Sequence, residues 1–392
     1  MQTDTLENQP SRLAKTAGYY VAFILLGLST AAIGPTLPSL AEQTGSTLGQ
    51  VSFLFAARSL GYLLGALVGG RGYDRLPGQR VMSVTLLIMA TALALIPGMS
   101  LFWLLVGVIW LLGIGEGALD VGANILLMWL HGEKVGPFMN GLHFFFGVGA
   151  FLSPVIFAQA ILLSGGIRWG YYLLALPVLP VAVYTYLQAS PAQPGQAKEG
   201  ARPSQRGSLV LAISLFFTLA VGLETAFSGW VYTYARQLNL GDTVTAAYLT
   251  AAFWAALTIG RLVGIPLSLR FPVSRLILVD VLGCSLSLVV ILAWPGTRSA
   301  LWLGTLGLGA SIASIFPNSL SFASQHITIT GKVTSLFFVG TSLGGMLVPW
   351  LVGQLIEPLG AASVMWALGG VVLLALGVYA WMTASARTEA ST

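Results

Sequence analysis

The chain has 392 residues, of which 56% are hydrophobic and 8% charged, with a net charge of +5. Ordinary soluble domains carry about 25% charged residues, so a soluble globule of this length is excluded. The basic excess sits in short loops between apolar stretches, where it serves membrane topology rather than nucleic-acid binding, and the single cysteine, Cys284, excludes an intrachain disulfide.

A helix needs about 20 apolar residues to cross about 30 Å of hydrocarbon. Stretches of that kind fall at roughly 16–41, 48–70, 81–99, 101–130, 137–163, 168–189, 208–236, 244–267, 274–294, 299–324, 332–355 and 360–384. They predict an all-α membrane protein. The first fifteen residues lack the apolar core of a signal peptide, so no cleaved leader is expected. Most connections are short and carry Gly or Pro, as at Leu76-Pro77-Gly78 and Ser164-Gly165-Gly166. The long hydrophilic stretch 190–207, rich in Pro, Gln, Gly, Lys and Arg, reads as a flexible linker.

Across that linker the chain repeats itself. Gly27-Leu28-Ser29-Thr30-Ala31 recurs as Gly222-Leu223-Glu224-Thr225-Ala226, and at the same offset Gly34 falls on Gly229, Gly65 on Gly260, Gly149 on Gly344 and Gln159 on Gln354. One residue out of step, Asn124 falls on Asn318. A repeat of this length in so apolar a chain predicts two pseudo-symmetric six-helix bundles, residues 1–189 and 208–392, facing each other as in a solute carrier.

Charge predicts the orientation. With both termini in the cytoplasm, the inner segments hold Arg12, Lys15, Arg71, Arg75, Arg80, Lys134, Lys198, Arg202, Arg206, Arg270, Arg275, Lys332 and Arg387. The outer loops hold Arg168, Arg236 and Arg298. That asymmetry predicts a multi-pass protein of the cell (inner) membrane with cytoplasmic termini.

Between the second and third stretches runs Gly70-Arg71-Gly72-Tyr73-Asp74-Arg75-Leu76-Pro77-Gly78-Gln79-Arg80. Small residues there let helices approach, and the acid and bases suit a breakable latch; a plain basic turn is the alternative. The loop resembles the signature of the major facilitator superfamily, with one residue more than the usual pattern. Gly70, Asp74, Arg75 and Arg80 are its expected gating residues. Its counterpart near Arg270 has Leu269 where Asp would fall, which predicts a weaker second latch.

Four acids lie inside predicted spans: Glu116, Asp120, Glu224 and Asp280. A carboxylate at mid-bilayer is costly unless paired, hydrated or protonated, so each calls for a reason; burial suits a carboxylate to carry a proton, and a hydrated pair could hold sodium. Glu116, Asp120 and Asn124 share one helix face at spacings of four. Arg58, roughly 18 Å deep on helical rise, requires an acid partner, Asp120 or Glu116; a static ion pair is the alternative to a coupling pair. Asp280 and Arg261 lie at similar depth and read as a structural pair. Trp230 and Tyr232 offer ring faces and polar edges suited to a sugar, or pack against neighbouring helices. The matched amides Asn124 and Asn318, and Gln159 and Gln354, would frame a cavity on the twofold axis or bond helix to helix.

Span five opens Gly136-Pro137-Phe138-Met139-Asn140-Gly141-Leu142-His143-Phe144-Phe145-Phe146-Gly147-Val148-Gly149. With Asp120-Val121-Gly122-Ala123-Asn124 before it and Glu224, Gly229-Trp230 and Tyr232-Thr233-Tyr234-Ala235 after it, the chain resembles the fucose permease-like branch of the superfamily and the relatives of the sodium-dependent glucose transporters. The resemblance implies the major facilitator fold and a symporter of hexose-like sugars coupled to protons or sodium. It places Asp120 at a position implicated in sugar and proton handling. It also implies an acid in span one, where this chain offers Ser29, Thr30 and Thr36, and so shifts the coupling onto Asp120 and Glu224. His143 either donates to a sugar hydroxyl and exchanges protons near neutral pH, or bonds a neighbour such as Asn124 or Asn140.

The expected machinery is therefore Asp120, Glu224, Glu116 and Arg58 for the ion, and Asn124, His143, Trp230, Asn318, Tyr232, Gln159 and Gln354 for the solute. No resident cofactor or metal is expected beyond the coupling ion. A proton-driven exporter of sugars or drugs is the rival. An enzyme is not expected, because the three histidines are scattered and form no nucleophile–base or ligand cluster. A monomer is expected, since one chain holds both halves of the pathway.

Overall fold

The computed structural model describes residues 9–193 and 207–388; most of the expected linker, including Lys198, Arg202 and Arg206, lies outside the described residues. Twelve helical spans are long and apolar enough to cross a membrane: Arg12–Thr30, Leu48–Arg75, Gly78–Gly98, Phe102–Lys134, Gly136–Ser164, Arg168–Leu187, Gly207–Gln237, Thr243–Ser268, Val273–Ala293, Arg298–His326, Lys332–Leu359 and Ser363–Ala386. They are numbered spans 1 to 12 in that order. The chain is a multi-pass membrane protein.

The sequence repeat becomes a repeat of helix pairs. Span 1 packs on span 5 and span 2 on span 4; span 7 packs on span 11 and span 8 on span 10 in the same way. Matched glycines sit at the crossings because only backbone fits there. A Cβ on Gly27 would come within 2.7 Å of the Ala150 nitrogen, and one on Gly344 within 3.0 Å of the Gly222 nitrogen. The halves meet through spans 2 and 11, spans 5 and 8, and spans 1 and 7. A twofold axis exchanges the first two contacts and maps the third onto itself.

Span 1 departs from the continuous helix expected over 16–41. It ends at Thr30 and resumes as Ile33–Thr44. Pro35 causes the break: it has no N–H for the Ala31 carbonyl, and its ring crowds that carbonyl. Pro317 acts likewise on span 10, which breaks between Ile312 and Ile315. A broken helix at this depth suits a wall of a polar cavity.

Hydrogen bonds join the halves at the end remote from the linker. Gln354 donates through Nε2 to the Gly49 carbonyl at 2.8 Å and to Ser52 Oγ at 3.0 Å. The Glu357 carboxylate accepts from the Gly49 N–H at 3.1 Å. On the twofold-related side Gln159 Nε2 donates to the Tyr248 hydroxyl at 2.9 Å. Gln159 and Gln354, expected around the solute, thus clasp the remote face instead. Losing two hydrogen bonds in Gln354→Leu removes about 1–3 kcal/mol, a roughly 5- to 150-fold loosening of that clasp. The expected result is faster labelling of a Thr225→Cys cavity reporter by an impermeant thiol reagent from the remote side; an unchanged rate contradicts the clasp.

The linker end shows the opposite state. Asp74, Arg75 and Arg80 are exposed, and among the described residues Asp74 forms no ion pair. Its backbone carbonyl, with that of Tyr73, accepts from Gln193 Nε2. The expected latch is disengaged here. Gly70 is not the point of close approach either: a Cβ there meets only Val121, at 3.8 Å, whereas one on Gly69 would lie 2.9 Å from the Ala118 Cα. The helix also runs on to Arg75, so most of the signature is helical rather than loop.

Candidate functional site

A small cavity of about 60 Å3 lies between the halves, lined by Thr30, Arg58, Glu224, Thr225, Ser228 and Trp254 among others. It has room for a few waters. Its position follows from the repeat. Span 1 breaks just where Thr30 lines the cavity with Thr225, its repeat partner on span 7, so polar side chains from both halves meet there.

The first half contributes an ion pair with every acceptor used. Arg58 Nε meets Glu116 Oε2 at 2.6 Å, and its Nη2 donates to Thr30 Oγ1 at 2.9 Å. Ser29 Oγ donates to the other Glu116 oxygen at 2.6 Å. Glu116 is fully buried, while the Arg58 side chain keeps 14% exposure at the cavity wall. Of the two acids open to Arg58 by topology, Glu116 is the partner. Asp120, one turn nearer the linker face, is not among the residues lining that cavity and, among the described residues, has no cationic partner within ion-pair distance. Its carboxylate accepts from the Tyr62 hydroxyl and, at 3.0 Å, from Asn124 Nδ2. Asn124 also bonds the Asp120 carbonyl at 2.8 Å, so its amide orients Asp120 instead of facing the cavity.

The second half contributes Glu224, half-buried on the cavity wall. The expected Arg261–Asp280 pair is not formed. Asp280 instead accepts from Ser314 Oγ at 2.7 Å and Asn318 Nδ2 at 3.4 Å. Depth along the chain matched Arg261 to Asp280, but among the described residues the two form no ion pair. Asn318 is thereby occupied within its own half. His143 is exposed, meets the Phe23 ring edge-on at 5.8 Å, and bonds neither Asn124 nor Asn140.

The aromatic expectation moves by one helix. Trp230 is 0% exposed and donates to the Pro349 carbonyl at 2.9 Å, so it holds span 7 to span 11 behind the cavity. Trp254, missed in the sequence, lines the cavity with its buried indole N–H free of any partner. Its signal was a lone indole among alanines, Ala251-Ala252-Phe253-Trp254-Ala255-Ala256, which leaves open space around a large polar-edged ring. Tyr232 belongs to a separate cavity at the remote face.

Two twofold-related bundles, clasped at one face around a polar cavity with ionisable walls from both halves, define a membrane transporter rather than an enzyme. Residues 19–349 match the family model of the Major Facilitator Superfamily, and the chain belongs to that superfamily. It is 29% identical over 358 residues to sodium-dependent glucose transporter 1 of Xenopus laevis, covering 84% of this chain and 73% of that protein. Human major facilitator superfamily domain-containing protein 4A is 25% identical over 453 residues, covering 90% and 88%. Among solved structures, a bacterial homologue of the human lysosomal transporter Spinster, inward-facing and occupied, superposes with a TM-score of 0.77 at 14% identity, over 97% of this chain and 98% of that one. The nucleoside transporter NupG, in a mutant form, gives 0.76 at 13%, over 94% and 99%.

Proposed function

We propose that this transporter is a symporter moving a hexose-like sugar together with a cation, H+ or Na+, into the cell across the inner membrane. Its termini and linker face the cytoplasm, and one chain suffices. The observation that carries this reading is the cavity on the twofold axis, where Glu224 from one half faces Arg58, tied to Glu116, from the other. The names of the sodium-dependent glucose transporters among its relatives support the solute class. Glu224 and Asp120 take up the cation. Neutralising a cavity carboxylate removes the cost of closing apolar helices over it, so ion and solute together permit the halves to rock.

Trp254 supplies a ring face for sugar C–H groups and a free N–H for a hydroxyl. Trp254→Phe keeps the ring and deletes the donor. The expected result is a KM raised about 2- to 13-fold, the worth of one hydrogen bond, at unchanged thermal stability; an unchanged KM contradicts the assignment. The polar walls argue against the rival drug exporter. Counterflow in proteoliposomes with a panel of sugars and lipophilic cations tests the solute class: exchange of hexoses supports the reading, and exchange of lipophilic cations alone overturns it.

A further inference from the structure

A second cavity opens at the remote face, on the same two helices that enclose the first. Along span 7, Glu224, Thr225, Ser228 and Gly229 line the central cavity, and Tyr232, Thr233, Arg236 and Gln237 line the remote one. Along span 1 and its continuation, Thr30, Ala31, Ile33 and Gly34 line the central cavity, and Ser39 and Glu42 line the remote one. Between them spans 1 and 7 touch through Gly34 and Gly229, the repeat-related glycines. A Cβ on Gly34 would come within 2.5 Å of the Ser228 carbonyl and 3.3 Å of the Gly229 Cα. That backbone contact is the partition between the two spaces.

The remote cavity measures about 390 Å3, within the roughly 300–1,000 Å3 range of small-molecule sites. Thr233 is 1% exposed and lines it, yet its hydroxyl has no hydrogen-bond partner. A buried hydroxyl without a partner costs free energy that a ligand hydroxyl recovers. The walls also carry one acid, Glu42, and one base, Arg236, whose Nη1 donates to the Gly241 carbonyl at 3.1 Å and leaves its other donors free. An acceptor and a donor of opposite charge across one pocket favour a neutral solute with many hydroxyls; an ion would leave one of them opposed. The Tyr232 ring provides an apolar face beside them.

We propose that this vestibule is a second, outer sugar site, filled before the Gly34–Gly229 partition opens and loading the central cavity when it does. The inference rests on the sugar reading above for its ligand, but on different residues. The single native cysteine, Cys284, is buried, so an introduced thiol reports cleanly. In the full-length protein carrying Ser39→Cys, glucose is expected to slow modification by an impermeant thiol reagent at least about threefold. Adding Thr233→Val, which swaps the hydroxyl for a methyl of the same shape, is expected to abolish that protection. Adding Glu224→Gln in its place leaves protection intact, because the central cavity is not its source. Protection that survives Thr233→Val, or that disappears with Glu224→Gln, overturns the outer site. Absence of any protection overturns it too. Glucose counterflow by the same preparation then separates the readings: if counterflow persists, only the outer site falls, and if it is absent, the sugar reading falls as well.

Discussion

Glu224→Gln and Asp120→Asn are each expected to abolish accumulation while sparing exchange. A tenfold cation gradient supplies about 1.4 kcal/mol and supports up to about tenfold accumulation at one cation per solute. A neutral amide of the same shape keeps a hydrogen-bonding group at each position but no longer binds and releases the cation. Both variants should therefore bring internal solute only to the outside level, with counterflow within about two- to threefold of the parent. Asp120 offers a stringent case because its partners, Tyr62 and Asn124, are neutral donors that hold an amide poorly in only one orientation. Full accumulation by either variant removes that residue from the coupling assignment.

The Arg58–Glu116 pair carries the second large effect. Removing one partner of a buried ion pair costs about 3–5 kcal/mol, because the other charge is stranded. Glu116→Ala strands the Arg58 guanidinium and orphans the Ser29 hydroxyl, so a thermal-shift assay should show a fall of many degrees. Replacing both, as Arg58→Met with Glu116→Leu, removes the stranded charge and should restore stability to near the parent or above. The double variant then separates a structural pair from a working one. The account expects a stable protein without transport, since Arg58 lines the cavity through its exposed edge. A stable double variant that still transports makes the pair a helix fastener and nothing more.

What was legible in the sequence and what was not divide along one physical line. Helical rise makes depth readable: the distance of Arg58, Glu116 and Glu224 from a span end follows from counting residues, and the structure sets all three at the cavity level. The repeat also made the twofold readable, because glycines such as Gly27 and Gly222, or Gly149 and Gly344, recur only where backbones must cross. The direction of a side chain around its helix was not readable, since it depends on which neighbour each face meets. That is why Arg261 was matched to Asp280 by depth although the two form no ion pair, and why Trp230 was set in the cavity while Trp254, on the adjoining helix, lines it. The glutamines and asparagines failed for a related reason. Gln159, Gln354, Asn124 and Asn318 recur between halves, but symmetry alone does not distinguish amides that clasp helices from amides that face a solute.

The central claim is that a cation gradient is converted into a solute gradient at the axial cavity. Proteoliposomes holding the purified chain, given a pH gradient or a sodium gradient one at a time, test it most directly by uptake of labelled glucose. The account predicts accumulation above the external concentration under one of the two gradients, collapsing when that gradient is dissipated. Equilibration to the external level under both, with no response to either ion, would contradict it.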